Sequence, residues 1–600
     1  MHKLIAILVV VAAVGISYAP AVRDGFVWDD TALVLRDPLI RSWRLIPEGF
    51  NHYLFVDATP SDFYRPIQRL TYTIEYALFA AHPGPYHVTN IALHAAAAIA
   101  LMIFAEVLLI AFGCDARPAR IVAAIAALIW AIHPVHTAAV VYVSGRADPL
   151  AAWFGFSGCY LVLRSLVRRD RAAMFYLIGA GFAFLASALS KESGLLFPLV
   201  MVPVVILLKQ PRVLVWLGLI AICVGTAYVS LRSGAEHNPA PRLGPQTPLA
   251  ARPITMTRAV AEYAGLLVLP TNLRMERDVR SPFDGNLYSN SAAGAARELQ
   301  TLLGLILLIV LVVYMARIHR RNRLLFALLL CAVVIYLPVS GLFKLNASVA
   351  EHWIYVPSAF LFLAVVLEGY RLRSVLFRSK ILGTVASFIC VSWAVFLGAR
   401  TFARTFDWKD QRTFFERTIA DGGASARMLI NLGALESSEN HFDRARQYLQ
   451  QALKKEPNQP FGLIELATIC IKQNDFTTAH QLLGKATEFP VVAAHANELL
   501  AVLENKEHGQ ANLLRLRLAT RTGFPNWSIE KRYVKVLAET GAMAKAIQEL
   551  RVCLQTEWYR AESWQLLAQL LAKAGQHDAA AQAFAQARIY DVHLASRPSA

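Results

Sequence analysis

Thr301-Leu-Leu-Gly-Leu-Ile-Leu-Leu-Ile-Val-Leu-Val-Val-Tyr-Met-Ala316 runs for sixteen residues without a charge, and Arg317, Arg320, Arg321 and Arg323 follow it at once. An α-helix rises about 1.5 Å per residue, so such a run crosses most of a hydrocarbon layer about 30 Å thick. Working outward, ten similar runs stand at 4–20, 89–112, 121–141, 147–163, 172–189, 194–208, 213–231, 324–340, 354–370 and 381–398. The sequence therefore predicts about eleven membrane spans, several of them short. Residues 258–270 read as a helix lying at the interface. The first run has the flanks of a signal peptide, but ten further spans follow, so it reads as a retained first helix.

Composition excludes the other broad classes. Apolar residues make up 56% of the 600, charged residues 17%, and mean hydropathy is +0.42. So few charges cannot cover the surface of an ordinary soluble protein of this length, and so apolar a chain is not disordered. The seven cysteines are scattered with no close pair, which speaks against a disulfide scaffold, a zinc site or a redox motif. The net charge of +17 is not a nucleic-acid signal. Residues 401–600 hold 24 Lys+Arg against 21 Asp+Glu, which leaves +14 in the apolar first 400.

Those cations orient the chain. Lys3; Arg117 and Arg120; Arg164, Arg168, Arg169 and Arg171; Lys209 and Arg212; Arg317 to Arg323; and Arg371, Arg373, Arg378 and Lys380 alternate with loops holding only Arg146, Lys191 and Lys344. The positive-inside rule puts the rich set in the cytoplasm. An odd span count then sends everything beyond residue 400 to the other side, together with two long loops at 21–88 and 232–300.

After residue 420 the pattern becomes polar and amphipathic, with a repeat. Leu432-Gly433 recurs as Leu466-Ala467, Ala445 as Ala479 and Ala452 as Ala486, each 34 residues apart, and Ala546 and Ala580 share the spacing. Small residues at fixed places let paired helices pack closely, and this period is that of tetratricopeptide repeats. About five units are expected over 427–595, the third (494–525) degenerate, with 401–426 as a linker. A solenoid of this kind offers a concave surface to an extended peptide or partner helix.

The chemistry-bearing residues fall on the outer face. Gly25-Phe-Val-Trp-Asp29-Asp30 puts two carboxylates close to the membrane, where they bind a cation, move a proton or cap a turn. Tyr64-Arg65-Pro66 supplies a planar, permanent cation suited to phosphate or to headgroup anchoring. Tyr86-His87, Asn90 and His94 follow. His133-Pro-Val-His136-Thr137 has two imidazoles at a spacing that suits a metal or a polar anchor. Gly145-Arg146-Ala-Asp148, Ser190-Lys191-Glu192 and Glu351-His352-Trp353-Ile-Tyr355-Val-Pro357-Ser358 complete the set, with ion pairing between helices as their other reading.

Taken in order, these motifs and the terminal repeats resemble the transmembrane and tetratricopeptide repeat-containing O-mannosyltransferases over nearly the whole chain. The sequence departs from that pattern at Ala138, where an acidic residue is common, and at His352-Trp353. The resemblance implies an all-α, GT-C-like membrane domain over 1–400. It implies a polyprenyl-phosphate sugar as donor and a Ser or Thr hydroxyl of a translocated protein as acceptor.

On this reading Asp29 or Asp30 takes the hydroxyl proton, and Arg65, Arg146 and Lys191 bind the donor phosphate and sugar. Tyr64, His87, His94, His133, His136, Asp148, Glu192 and Glu351 support the site. A single displacement inverts the anomeric centre. No cofactor is required by the scheme, although adjacent aspartates can hold a divalent metal. Short cytoplasmic loops and abundant alanine lean towards a bacterial inner membrane, with an endoplasmic reticulum membrane as the alternative. Two other functions compete: transfer to an envelope lipid or polysaccharide, and a non-catalytic membrane tether for the repeats.

Overall fold

A computed structural model describes residues 3–57, 61–168, 170–236, 248–277, 279, 291–343, 347–376, 379–510, 512–523 and 526–594. Arg169, Lys344 and Arg378, used above for orientation, lie outside them. The chain is almost entirely helical.

The first half holds α1 (Lys3–Tyr18), α2 (Pro66–Phe79), α3 (Pro83–Ala111), α4 (Ala116–Ala131), α5 (Ala147–Val167), α6 (Arg171–Ser190), α7 (Phe197–Leu207), α8 (Pro211–Gly234), α9 (Arg252–Val268), α10 (Ser291–Ile318), α11 (Arg323–Tyr336), α12 (Tyr355–Leu376) and α13 (Lys380–Thr405). Prolines open α2, α3 and α8, at positions where their fixed φ suits a helix and their missing N–H costs nothing. Every apolar run singled out above is helical, but the runs are not equal. Among the described residues, eight helices are long and apolar enough to cross a membrane, or nine if the bent pair at 121–141 counts as one, against the eleven expected. The run at 121–141 is a pair bent by 54° at residues 132–133, and the runs at 194–208 and 324–340 are shorter helices. The stretch read as interfacial is α9.

Burial sorts the helices into shells. In α3 and α12, 61% of the apolar window is buried within the protein, against 6% in α10 and 11% in α13. Leu302, Leu303, Ile306, Ile309, Val310 and Val312 of α10 are all exposed. Helices apolar all round and covered by no protein are those that face lipid, so α10 and α13 form an outer layer around the α3–α5–α12 core. Close approach inside that core depends on small residues: a Cβ on Gly158 of α5 would lie 2.6 Å from the Phe184 ring of α6.

Residues 401–426, expected as a linker, are packed instead. The last turn of α13, a short turn at Phe406–Trp408 and α14 (Gln411–Ala420) bring Trp408, Phe414 and Phe415 into the same apolar cluster as the membrane bundle. Beyond them stand five helix pairs: α15 (Ala426–Ser438) with α16 (Phe442–Lys455), α17 (Pro460–Lys472) with α18 (Phe476–Ala486), α19 (Pro490–His508) with α20 (Leu513–Arg521), α21 (Trp527–Glu539) with α22 (Met543–Thr556), and α23 (Ala561–Lys573) with α24 (His577–Tyr590). Ala445, Ala452, Ala479 and Ala486 are fully buried, as their 34-residue period requires. The irregular third unit shows as a long α19 and a short α20.

The solenoid touches the membrane half at both ends. Near its start, the Gly25 N–H donates to Lys409 O at 2.8 Å. At its far end, Arg560 clasps Asp57 of the first long loop at 2.5 and 2.7 Å, Val592 N–H donates to Arg41 O at 3.1 Å, and the Tyr76 hydroxyl donates to Asp591 at 3.1 Å. Tyr559 joins Leu39 and Leu45 in a small apolar cluster there.

Candidate active site

The turn carrying the two aspartates is held under strain. Trp28 has φ +48, a left-handed backbone that a bulky side chain adopts only when its surroundings enforce it. Those surroundings are aromatic: its ring stacks on Tyr142 at 6.3 Å and lies 5.9 Å from Phe414 of α14. The turn directs the two carboxylates into different environments.

Asp30 is fully buried. Its Oδ1 accepts from the Ser144 N–H at 2.7 Å and the Ser144 hydroxyl at 2.6 Å, and its Oδ2 accepts from the Val27 N–H at 3.1 Å. The two Ser144 bonds tie the first long loop to the segment before α5, and the Val27 bond closes the turn on itself. Burial nevertheless pushes Asp30 up to about 7, with the neighbouring Asp29 charge adding to the effect. Asp29 is only partly buried. Its N–H donates to the Tyr142 hydroxyl at 3.1 Å, and its carboxylate, raised by burial, feels Tyr142 and the positive charges of Arg427 and Arg65. Of the pair, Asp29 is the less buried residue, and Asp30 fastens the turn.

The cations separate as well. Arg65 binds Glu192 through Nε at 3.0 Å and Nη2 at 2.8 Å, which leaves Nη1 for a ligand; its guanidinium also stands 4.3 Å from the Phe63 ring. Lys191 Nζ donates to Asp148 at 2.6 Å. Both cations keep some solvent exposure and sit in one charged group with Asp148 and Glu192. Arg146 is different. Its donors go to Asn90, Thr71, both oxygens of Glu75 and the Tyr86 carbonyl, with Tyr72 against its face. A guanidinium has five N–H donors, and all are spent here. The expectation of Arg146 as a phosphate ligand is therefore corrected: it is a buried fastener joining α2, α3 and α5.

Most of the supporting residues are also internal. Tyr64 donates its hydroxyl to Phe50 O at 2.9 Å and its N–H to Glu192. His87 is buried, with no hydrogen-bond partner for either ring nitrogen among the described residues. His94 bonds the Tyr355 hydroxyl at 2.6 Å and Ala131 O at 2.9 Å. His133 bonds Leu267 O at 3.1 Å, and His136 bonds Trp130 O at 2.8 Å and Ser358 Oγ at 3.1 Å. The His133 and His136 rings stand 5.9 Å apart, with His133 Nδ1 accepting from the Val135 N–H at 3.3 Å, and the hydrogen bonds of both rings fit the polar-anchor reading. Among the described residues, metal-ligand spacing occurs at Glu436, Glu439 and His441, where Arg412 already bonds both carboxylates.

Glu351 is fully buried beneath the start of the solenoid. It accepts from the Arg274 N–H and stands about 4 Å from both Arg277 and Arg404. A two-residue ladder pairing β1 (Glu276–Arg277) with β2 (Val349–Ala350) brings these groups together. Sequence reasoning missed Tyr142, Glu276 and Arg427 around Asp29. It noted His352 only as a departure; its Nδ1 is buried without a partner among the described residues, within electrostatic reach of Lys191 and Arg65.

Comparison with known proteins follows the same division of the chain. A tetratricopeptide repeat family model matches residues 437–503. The protein O-mannosyl-transferase F38B6.6 of Caenorhabditis elegans is 24% identical over 463 residues, covering 75% of this chain and 63% of that protein. The human protein O-mannosyl-transferase TMTC3 is 25% identical over 494 residues, 75% of this chain and 51% of that protein. This chain is a relative of the transmembrane and tetratricopeptide repeat-containing O-mannosyltransferases. Another family member, the human protein O-mannosyl-transferase TMTC4, is 29% identical over 202 residues, 31% of this chain and 27% of that protein. The chain thus spans just under two thirds of the length of the Caenorhabditis elegans relative and about half that of human TMTC3. These relatives are animal proteins and lend no support to a bacterial inner membrane; a multi-pass membrane protein with tetratricopeptide repeats is what stands.

Proposed function

We propose that the chain is an integral-membrane glycosyltransferase that moves mannose or another hexose from a polyprenyl-phosphate donor to Ser or Thr hydroxyls of proteins. The observation that carries this reading is the placement of Asp29. Asp29 is a partly buried residue on a rigid turn, within the field of Arg65, whose Nη1 has no partner among the described residues. The protein O-mannosyl-transferase relatives support the reaction class.

In the reaction, the acceptor oxygen attacks the anomeric carbon while Asp29 takes its proton. The bond from that carbon to the phosphate oxygen breaks, and the lipid phosphate leaves with the electron pair and the negative charge. Arg65 and Lys191 stabilise that charge. One displacement inverts the anomeric centre. The scheme asks for no metal, because two cations stand ready for the leaving group. The alternation of basic loops supports a reaction on the non-cytoplasmic face, and the animal relatives favour the lumen of the endoplasmic reticulum as that side.

The test is transfer by the purified full-length protein in lipid nanodiscs, with lipid-linked mannose and glucose donors and Ser- or Thr-containing peptides. A charge-assisted hydrogen bond is worth about 1.5–3 kcal/mol, so Arg65→Gln and Lys191→Gln should each raise the donor KM about tenfold or more. An unchanged donor KM in both variants contradicts the assignment.

A further inference from the structure

The transfer scheme so far uses only the membrane half, yet the first repeat reaches the site. Arg427 is the second residue of α15. Its Nη2 lies 2.7 Å from Glu276 Oε2 on β1, and its guanidinium stands 5.4 Å from the Trp28 ring centroid. Its carbonyl accepts from Asn431 Nδ2 at 2.8 Å, one helical turn on. The first helix of the solenoid, the β1–β2 ladder and the strained Trp28 turn all meet at this one side chain.

We propose that Arg427 is a positioning residue of the transfer site, contributed by the repeat domain: it braces Trp28 and Glu276 around Asp29 and supplies a positive charge beside that carboxylate. The inference rests on the proposed function, in which Asp29 is the base. It makes the repeats part of the site as well as a surface for acceptors.

The groups facing Asp29 are few. Tyr142 comes from the segment before α5, Arg65 from the start of α2, Asp30 from the same turn, Glu276 from β1 and Arg427 from α15. Burial raises Asp29; Tyr142, Arg427 and Arg65 oppose it. Glu276 is raised by burial too, and its two chief charged neighbours are Arg427 and Asp29. Arg427 therefore bonds one carboxylate, Glu276, and lies against the residue before the other, Asp29, within electrostatic reach of both. Without it they repel each other directly, and the Asp29 carboxylate holds its proton to higher pH.

Side-chain exposure of Arg427 is 39%, so its replacement leaves no deep cavity. The measurement is an infrared titration of the full-length protein, taken as the difference from Asp29→Asn, which reads the Asp29 carboxylate whether or not transfer occurs. Arg427→Gln should raise its midpoint by about one pH unit. Arg427→Lys should restore most of the wild-type value. Glu276→Gln, which removes a negative neighbour, should leave the midpoint unchanged or lower it. The acid limb of kcat/KM should move in parallel. An unchanged midpoint in Arg427→Gln, or an equal rise in Arg427→Gln and Glu276→Gln as from a general loosening, overturns the role. The expected shifts in a chain that transfers no sugar uphold the electrostatic role and overturn the proposed function.

Discussion

Arg560→Ala removes the side chain that fastens the far end of the solenoid to the first long loop. Arg560 is 2% exposed and makes two bonds to Asp57 and one to Glu557 at 2.6 Å, both partners being 16% exposed. Truncating one partner of a buried ion pair costs about 3–5 kcal/mol because the remaining charge is stranded. Asp57 and Glu557 lie near the surface and rehydrate, so the lower end, about 3 kcal/mol, applies. Each 1.4 kcal/mol is about tenfold in an equilibrium constant, so the contact should open about 100-fold more often. Hydrogen exchange on the full-length protein reads this directly. The Val592 amide, bonded to Arg41 O across the contact, should exchange about 100-fold faster, while amides of α15 and α16 keep their protection. Unchanged exchange at Val592 would show that the Arg560 bridge holds nothing. An equal rise through α15 and α16 would show that the two ends of the solenoid do not respond separately.

Two further outcomes follow from burial. Asp30 is held above its usual range, at about 7, so the folded state keeps a proton that the unfolded chain has lost. The stability this group contributes is complete below about pH 4 and is lost as pH rises through about 7; thermal melts from pH 4 to 8 should show that slope in the wild type and a flatter one in Asp30→Asn. Truncation after residue 405 strips Trp408, Phe414 and Phe415 from the bundle cluster, at about 1.5–3 kcal/mol for each large side chain. It should therefore lower the thermal midpoint of the membrane half well below that of a chain ending at Lys455, which keeps all three.

The parts that were legible in the sequence are those set by local period and composition. Apolar runs give spans, and a 34-residue spacing of alanines gives paired helices, because each constraint acts between neighbours along the chain. Motif residues were legible as polar groups in apolar surroundings, but their roles were not. Arg146 reads as a phosphate ligand until Glu75, 71 residues away, is seen to occupy it. Glu351 reads as a supporting residue of the site until Arg277 and Arg404 are seen to surround it. Arg427 carried no signal at all, since it is an ordinary position in a repeat helix and its partner Glu276 lies 151 residues earlier. The linker expectation failed for a related reason: Trp408 and Phe414 look like scattered aromatics until the fold places them against Tyr142 and Trp28.

The central claim is that Asp29 is the base and Asp30 its anchor. Single-turnover transfer from a polyprenyl-phosphate mannose donor to a Ser/Thr peptide, compared between wild type and Asp29→Asn, tests it most directly. A positioned general base contributes about 10² to 10⁴ in rate. The account predicts a loss of that size in Asp29→Asn with donor affinity and thermal midpoint unchanged, and wild-type transfer by Asp29→Asn would contradict it.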